Sequence, residues 1–236
     1  MQRPEGKTQS RRVYSFFRGC RRLLESFIKS IRFSYNMVTQ KLDKPHFEKE
    51  YAKTKGSYWT LKPGKRLIYF ESLLNRNSKV LDLGCGTGRV ALYLASKGHR
   101  VAAMDIAETG ISKLDDYAKK SNLKINSFVG DLKDYKITEK YDAICALFSI
   151  HFLPKKKVYD LVKNMQEQTK KNGYNWIGVF RKGKGNKNKY QFNNGEISNM
   201  YLDWHIVSYE EYSKSEKHGD GPIHSHEISN LIAQKK

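Results

Sequence analysis

Only three of the 236 residues are cysteine, and Cys20, Cys85 and Cys145 stand far apart in the chain. That scarcity excludes a disulfide framework and a cysteine-rich zinc site, and a reducing, cytoplasmic setting is expected. No run of about 18 apolar residues occurs, which excludes a transmembrane helix of the ordinary kind. No repeat with a period of 20–50 residues is present. Acidic residues are also few, 24 against 44 lysines and arginines, for a net charge of +20. What is not scarce is apolar and aromatic material, 39% and 12% of the chain. That is enough to build a core and excludes wholesale disorder. The length fits one large α/β domain, or a domain with an appendage.

The positive charge is concentrated at the start. Residues 1–66 hold 17 basic and 5 acidic residues, and residues 67–236 hold 27 and 19. A basic surface favours nucleic acid, anionic membrane or anionic small substrates, and a merely lysine-rich solvated surface is the plain alternative. Residues 1–12 are polar and basic and are expected to be disordered. From Val13 to Val38 an α-helical step puts Phe16, Phe17, Cys20, Leu23, Leu24, Phe27, Ile28, Ile31, Tyr35 and Val38 within an arc of about 140°. Arg18, Arg21, Arg22, Glu25, Lys29 and Arg32 oppose them. This pattern predicts a basic amphipathic helix within an extension spanning residues 1–45. Three roles fit it: lying on an anionic membrane surface, organelle targeting, or docking on the chain's own folded domain.

Residues 46–236 read as a second unit. Lys79–Leu83 predicts a short buried strand. Gly84-Cys85-Gly86-Thr87-Gly88 follows, and then a helix from Arg89 to Lys97 that ends at Gly98. Strand, glycine loop and helix open a nucleotide-binding βαβ unit. The second strand, Arg100–Met104, ends at Asp105, 21 residues after Gly84. That spacing suits an acid that accepts hydrogen bonds from ribose hydroxyls. The loop is Gly-x-Gly-x-Gly with a carboxylate, Asp82, two residues ahead of it. A dinucleotide pyrophosphate on the helix N-terminus would be repelled by that carboxylate, whereas an ammonium or sulfonium ligand would be attracted.

Val80-Leu81-Asp82-Leu83-Gly84-Cys85-Gly86-Thr87-Gly88 resembles the first motif of class I S-adenosylmethionine-dependent methyltransferases. Asp105 and Ile106 after the second strand, Val129-Gly130-Asp131-Leu132, and Tyr141 to Phe148 resemble the following motifs in order. Lys171-Asn172-Gly173-Tyr174 resembles the turn before the fifth strand, without its usual proline. His46-Phe47-Glu48 through Tyr58-Trp59 to Pro63, together with the segments around Asp203-Trp204 and His224 to Lys235, is similar to the tellurite-resistance and thiopurine methyltransferase-like branch. The resemblance implies S-adenosyl-L-methionine as cofactor. It implies a doubly wound, Rossmann-like α/β sheet of seven strands, mostly parallel, with an antiparallel last strand. It also implies cofactor contacts from Tyr58, Trp59, Asp82, Gly84, Cys85, Gly86, Gly88, Asp105, Ile106, Asp131, Leu132 and Phe148. It covers residues 46–236 and says nothing of residues 1–45.

The remaining elements are expected as follows. Helices span Thr109–Lys120 with Thr109 as N-cap, Pro154–Lys170, and Glu196–Leu202. Strands span Lys124–Val129, Tyr141–Phe148, Asn175–Phe180, and a closing pair at Trp204–Tyr209 and Glu227–Ala233. Methyl transfer from a sulfonium has a neutral leaving group. The protein therefore mainly aligns the reactants, and a base is needed only if the acceptor must lose a proton. The acceptor-facing candidates are His151, after the fourth strand, and His218 and His224 in the tail, with His226 nearby. A cavity-lining or packing histidine is the competing reading of each. No cysteine or fourth ligand accompanies the tail histidines, so no metal is assigned. Cys145 reads as buried and inert, Cys85 as packing beside the cofactor, and Asp115 and Asp116 as solvated.

A small-molecule acceptor is the expected partner. A membrane-associated lipid or quinone acceptor and RNA are the alternatives. Against nucleic acid, the position after the fourth strand reads Phe148-Ser149-Ile150-His151 and lacks the Asn/Asp-Pro-Pro-Tyr/Phe signature of base amino-group methylation. A monomer and a dimer fit equally.

Overall fold

The computed structural model describes residues 44–53, 63–183, 190–216 and 224–236, excepting the side chains of Glu216 and His224. The predicted amphipathic helix at residues 13–38, the pair Tyr58 and Trp59, and His218 lie outside the described residues.

Helices α1 (Lys44–Lys53) and α2 (Lys65–Ser72) precede the sheet. Then come β1 (Lys79–Leu83), α3 (Arg89–Ser96), β2 (Arg100–Asp105), α4 (Glu108–Lys120), β3 (Ile125–Val129) and β4 (Tyr141–Leu147). A 3₁₀ turn, Ile150–Phe152, leads to α5 (Lys155–Gln168), β5 (Thr169–Phe180), α6 (Glu196–Asn199), β6 (His205–Glu216) and β7 (His224–Gln234). The seven strands form one sheet in the order β3-β2-β1-β4-β5-β7-β6. All are parallel except β7, which runs antiparallel to both neighbours. This is the doubly wound sheet with an antiparallel last strand that the sequence motifs imply. No helix among the described residues is long and apolar enough to cross a membrane.

Helices cover both faces, so the central strands are apolar on both sides, as parallel strands require. Period-two alternation divides their side chains. Leu81, Leu83, Met104, Ile144, Ala146, Ile177 and Val179 pack with Val158, Leu161, Val162 and Met165 of α5. Val80, Ala103, Ala143, Cys145 and Trp176 pack against Leu67 and Phe70 of α2, Leu94 of α3 and Leu114 of α4. Each fully buried large apolar side chain contributes about 1.5–3 kcal/mol, and on this scale the two layers hold the sheet.

Several expected boundaries move. Helix α4 starts one residue early, at Glu108, and Thr109 is not its cap. The N-cap is Ala107, which offers no side-chain bond. Glu48 of α1 does the capping instead, its carboxylate accepting from the Glu108 and Thr109 amides at 2.7 and 3.0 Å. Helix α5 ends at Gln168, and Lys171-Asn172-Gly173-Tyr174 lies within β5 rather than before it. The ladder pairs Tyr141 with Thr169 and then Ala143 with Tyr174, so the expected turn is an irregularity bulging out of the strand. The closing pair extends to His205–Glu216 and His224–Gln234, because β6 and β7 continue as a two-stranded arm of polar residues that period-two apolar patterning does not mark.

Candidate active site

The end of β1 and the end of β2 are tied together before the chain turns into α3. The amides of Gly84 and Cys85 both donate to the Met104 carbonyl, at 2.8 and 2.9 Å, and the Gly86 amide donates to Oδ2 of Asp105 at 2.8 Å. The other oxygen of Asp105 accepts from the Ala107 amide at 3.0 Å. The Asp105 carboxylate therefore splints the glycine loop to the start of α4. Each of its oxygens keeps a lone pair for a further donor. Burial, the largest influence, pushes its pKa up against the amide bonds that pull it down.

The glycines are required by space as well as by conformation. Gly84 sits at φ 74°, and a Cβ there would overlap the Cβ of Ser149 and lie 2.9 Å from its hydroxyl. Ser149 is held in that position by its own bond to the Leu83 carbonyl at 2.7 Å. It is delivered there by Phe148, a non-glycine residue at φ 57° whose amide donates to the Gly178 carbonyl. Left-handed backbone at a phenylalanine costs about 1–2 kcal/mol. The strain turns the chain sharply off β4.

A cavity of about 230 Å³ opens at this edge of the sheet, lined among others by Gly84, Asp105, Ile106, Asp131, Leu132 and Phe148. Those are six of the twelve residues expected to touch cofactor. Cys85, Gly86 and Gly88 form the loop behind it. Asp82 lies deeper. It is 2% exposed, burial pushes its pKa up to about 7, and its Oδ2 has no hydrogen-bond partner among the described residues. Cys145 is buried, and burial raises its thiol pKa well above the ordinary value, which makes it a poor nucleophile.

Phe47 and Tyr51 of α1 also line the cavity and were not among the expected contacts. Their i, i+4 spacing stacks them on one helix face, ring centroids 6.3 Å apart, and Phe47 meets Phe152 edge-on at 5.0 Å. The Tyr51 hydroxyl lies 3.0 Å from where a Gly86 Cβ would be. Burial first, and the nearby Asp105 second, hold its pKa far above the ordinary phenol value. The sequence signal was this aromatic pair at helical spacing, which the Tyr58-Trp59 pair downstream obscured.

His151 stands behind the cavity wall and not in it. Its ring is fully buried, with centroids 4.3 Å from Phe152 and 4.7 Å from Phe180, and Phe180 in turn stacks on His226 at 4.5 Å. Neither ring nitrogen has a hydrogen-bond partner among the described residues, and burial, reinforced by His226, lowers its pKa to about 3. His151 is therefore neutral at pH 7. The unfolded chain takes up its proton near pH 6.5 and the folded one only near 3. Stability from this group is fully present above pH 6.5 and falls as pH drops toward 3, by about 3 kcal/mol between pH 6.5 and 4. His151→Phe is expected to flatten that loss in denaturant titrations at pH 7, 5.5 and 4. Asp82 acts with the opposite sign, since its raised pKa favours the folded state at low pH, and the variant separates the two. Of the other expected histidines, the backbone of His224 pairs with Glu216 at the start of β7.

The donors and acceptors suit an adenosyl amino acid. A glycine cradle without side chains meets two acids at strand ends, an unpartnered buried carboxylate oxygen and aromatic walls. Fold and site together define a Rossmann-like α/β class whose cleft at the strand C-terminal ends suits an adenosyl ligand. The profile of the tellurite resistance protein TehB family matches residues 72–221, and the chain belongs to that family. It is 36% identical over 137 residues to the "Probable S-adenosyl-L-methionine-dependent methyltransferase TehB" of Haemophilus influenzae strain 10810, covering 56% of this chain and 48% of that one. The crystal structure of TehB from Haemophilus influenzae superposes with a TM-score of 0.71 at 29% identity, over 80% of this chain and 67% of that one. A ubiquinone biosynthesis O-methyltransferase of Rickettsia conorii is 30% identical over 148 residues, 61% of this chain and 49% of its own. The chain spans about half the length of the curated relatives it matches.

Proposed function

We propose that the protein transfers the methyl group of S-adenosyl-L-methionine to a small-molecule acceptor. The observation that carries this reading is Asp105. It closes β2 beside the glycine loop and lines the cavity with an acceptor capacity that suits a ribose diol. Asp131 at the same rim suits the adenine amino group. Its Oδ1 accepts from the Lys133 amide at 2.8 Å, which fixes the carboxylate. Gly84, Gly86 and Gly88 let the ligand approach the backbone, and Phe47, Tyr51 and Phe148 exclude water around it. When bound, the cofactor supplies an electrophilic methyl on a sulfonium. The chain's own work is alignment: the strained Phe148 and the Phe47–Phe152 contact form the wall against which an acceptor is oriented. His151, neutral at pH 7 behind the cavity wall, adds no positive charge that would oppose a sulfonium in the cavity. The test is methyl transfer from labelled S-adenosylmethionine to thiols, oxyanions, phenols and RNA. Binding of NAD tighter than S-adenosylmethionine would overturn the reading.

A second reading, in which the acceptor sits in a membrane, is favoured by the basic amphipathic pattern of residues 13–38 and by the likeness to a ubiquinone biosynthesis O-methyltransferase. Each lysine or arginine near an anionic surface contributes about 1 kcal/mol, and the apolar face adds a part that salt does not screen. Co-sedimentation with anionic vesicles is expected to weaken at high salt but persist, and Phe16→Glu with Phe27→Glu to abolish it. Full-length protein that ignores such vesicles at low salt would remove this reading.

A further inference from the structure

The larger cavity lies at the other edge of the sheet. It measures about 760 Å³, and its lining includes the first residues of four neighbouring parallel strands, Lys79, Arg100, Ile125 and Tyr141. In a parallel sheet these first residues are at the opposite edge from Gly84, Asp105 and Phe148, which stand at or just after strand C-terminal ends. This groove therefore belongs to no part of the cofactor cleft.

Its charges are not balanced. Of the two carboxylates in it, Glu139 pairs with Lys79, and Asp115 accepts from the neutral Ser127 hydroxyl and keeps its charge. Lys79 is further occupied over the ring of Tyr141, 4.8 Å from its centroid. Lys119 and Lys124 have no hydrogen-bond or ion-pair partner among the described residues, and Arg100 makes only one long bond, 3.4 Å, to the Asn77 carbonyl. Two lysines thus stand open on the rim beside Arg100, whose charge is shared with the nearby Asp142 carboxylate. Below them Leu123 and Ile125 are half-buried and Tyr141 is 5% exposed, giving an apolar floor. His99 completes the lining. It is 6% exposed, and neither ring nitrogen has a hydrogen-bond partner among the described residues, the Glu71 carboxylate lying 3.6 Å from Nε2, at ion-pair distance.

We propose that this groove binds a nucleotide, with its phosphates on Arg100, Lys119 and Lys124 and its base on the Leu123–Ile125 floor. Cations take phosphate oxygens, and an aliphatic floor beside them covers one face of a planar base. The pairing of the two favours a nucleotide over a bare anion. The nucleotide can be free or one unit of a strand. Because the groove is remote from the cofactor cleft, the ligand is a second ligand and not the methyl acceptor. This inference does not depend on the proposed methyl transfer.

The test is amide and methyl NMR of the full chain titrated with ADP, inorganic diphosphate and 5′-phosphorylated octauridylate. ADP and octauridylate are expected to shift resonances of Arg100, Val101 and Leu123 to Ile125, with diphosphate binding at least tenfold more weakly. Tighter binding of octauridylate identifies a strand as the source, and tighter binding of ADP a free nucleotide. Arg100→Glu with Lys124→Glu is expected to weaken both at least tenfold while leaving the circular dichroism and the amide resonances outside the groove unchanged, which reports an intact fold. Three results would overturn the proposal: diphosphate binding as well as ADP, ADP shifts confined to residues around Gly84 and Asp105, or shifts unchanged in the double variant.

Discussion

Asp105→Asn is expected to weaken S-adenosylmethionine binding by about 10- to 150-fold, or 1.5–3 kcal/mol. The carboxylate does two jobs here. It accepts the Gly86 and Ala107 amides, and it has lone pairs left for ribose hydroxyls. Asparagine keeps the shape but presents an NH₂ group to one of two amide donors, so one splint becomes a donor–donor clash. Asp105→Ala removes both splints and is expected to lower stability as well. Comparing the two by calorimetry with S-adenosylmethionine and by denaturant titration without it separates ligand contact from loop support. If Asp105→Asn leaves the dissociation constant unchanged, the carboxylate serves the loop alone and the ribose assignment is wrong.

The parts of this molecule that were legible in the sequence are those where local chemistry and fold coincide. Lys79 to Gly88 reads as strand and glycine loop because parallel strands are apolar on both faces and the loop admits no side chain. The structure agrees to the residue for β1. The spacing from Gly84 to Asp105 fixed the second strand in the same way. What was not legible depended on partners distant in sequence. Thr109 has the chemistry of an N-cap, yet Glu48, 61 residues earlier, supplies the acceptor. No local pattern reports that. The left-handed Phe148 is a strained position set by the Gly178 carbonyl and by Ser149, and phenylalanine gives no local sign of positive φ. The basic groove was visible only as composition, because Arg100 opens β2 while Lys119 stands in the last turn of α4 and Lys124 just before β3, and the pairing of β2 with β3 gathers them.

Gly84→Ala is expected to destabilise the protein by about 2–5 kcal/mol and to abolish cofactor binding. Two costs combine. A Cβ at φ 74° costs about 1–2 kcal/mol from backbone strain alone. Overlap with Ser149 adds about 1–3 kcal/mol, because Ser149 is buried and pinned to the Leu83 carbonyl and cannot move aside freely. Gly98 gives the internal comparison. It has φ 85° and nothing within 4 Å of an added Cβ, so Gly98→Ala carries the strain without the overlap. It closes α3 far from the cavity and is expected to cost about 1–2 kcal/mol while leaving S-adenosylmethionine binding intact. Denaturant titration of both variants, with calorimetry of the cofactor, reads out the difference. An excess for Gly84→Ala measures how closely the residue after Phe148 presses on the glycine loop. Equal costs for the two variants would mean that Ser149 gives way, and that the strained turn after β4 does not shape the loop that meets the cofactor.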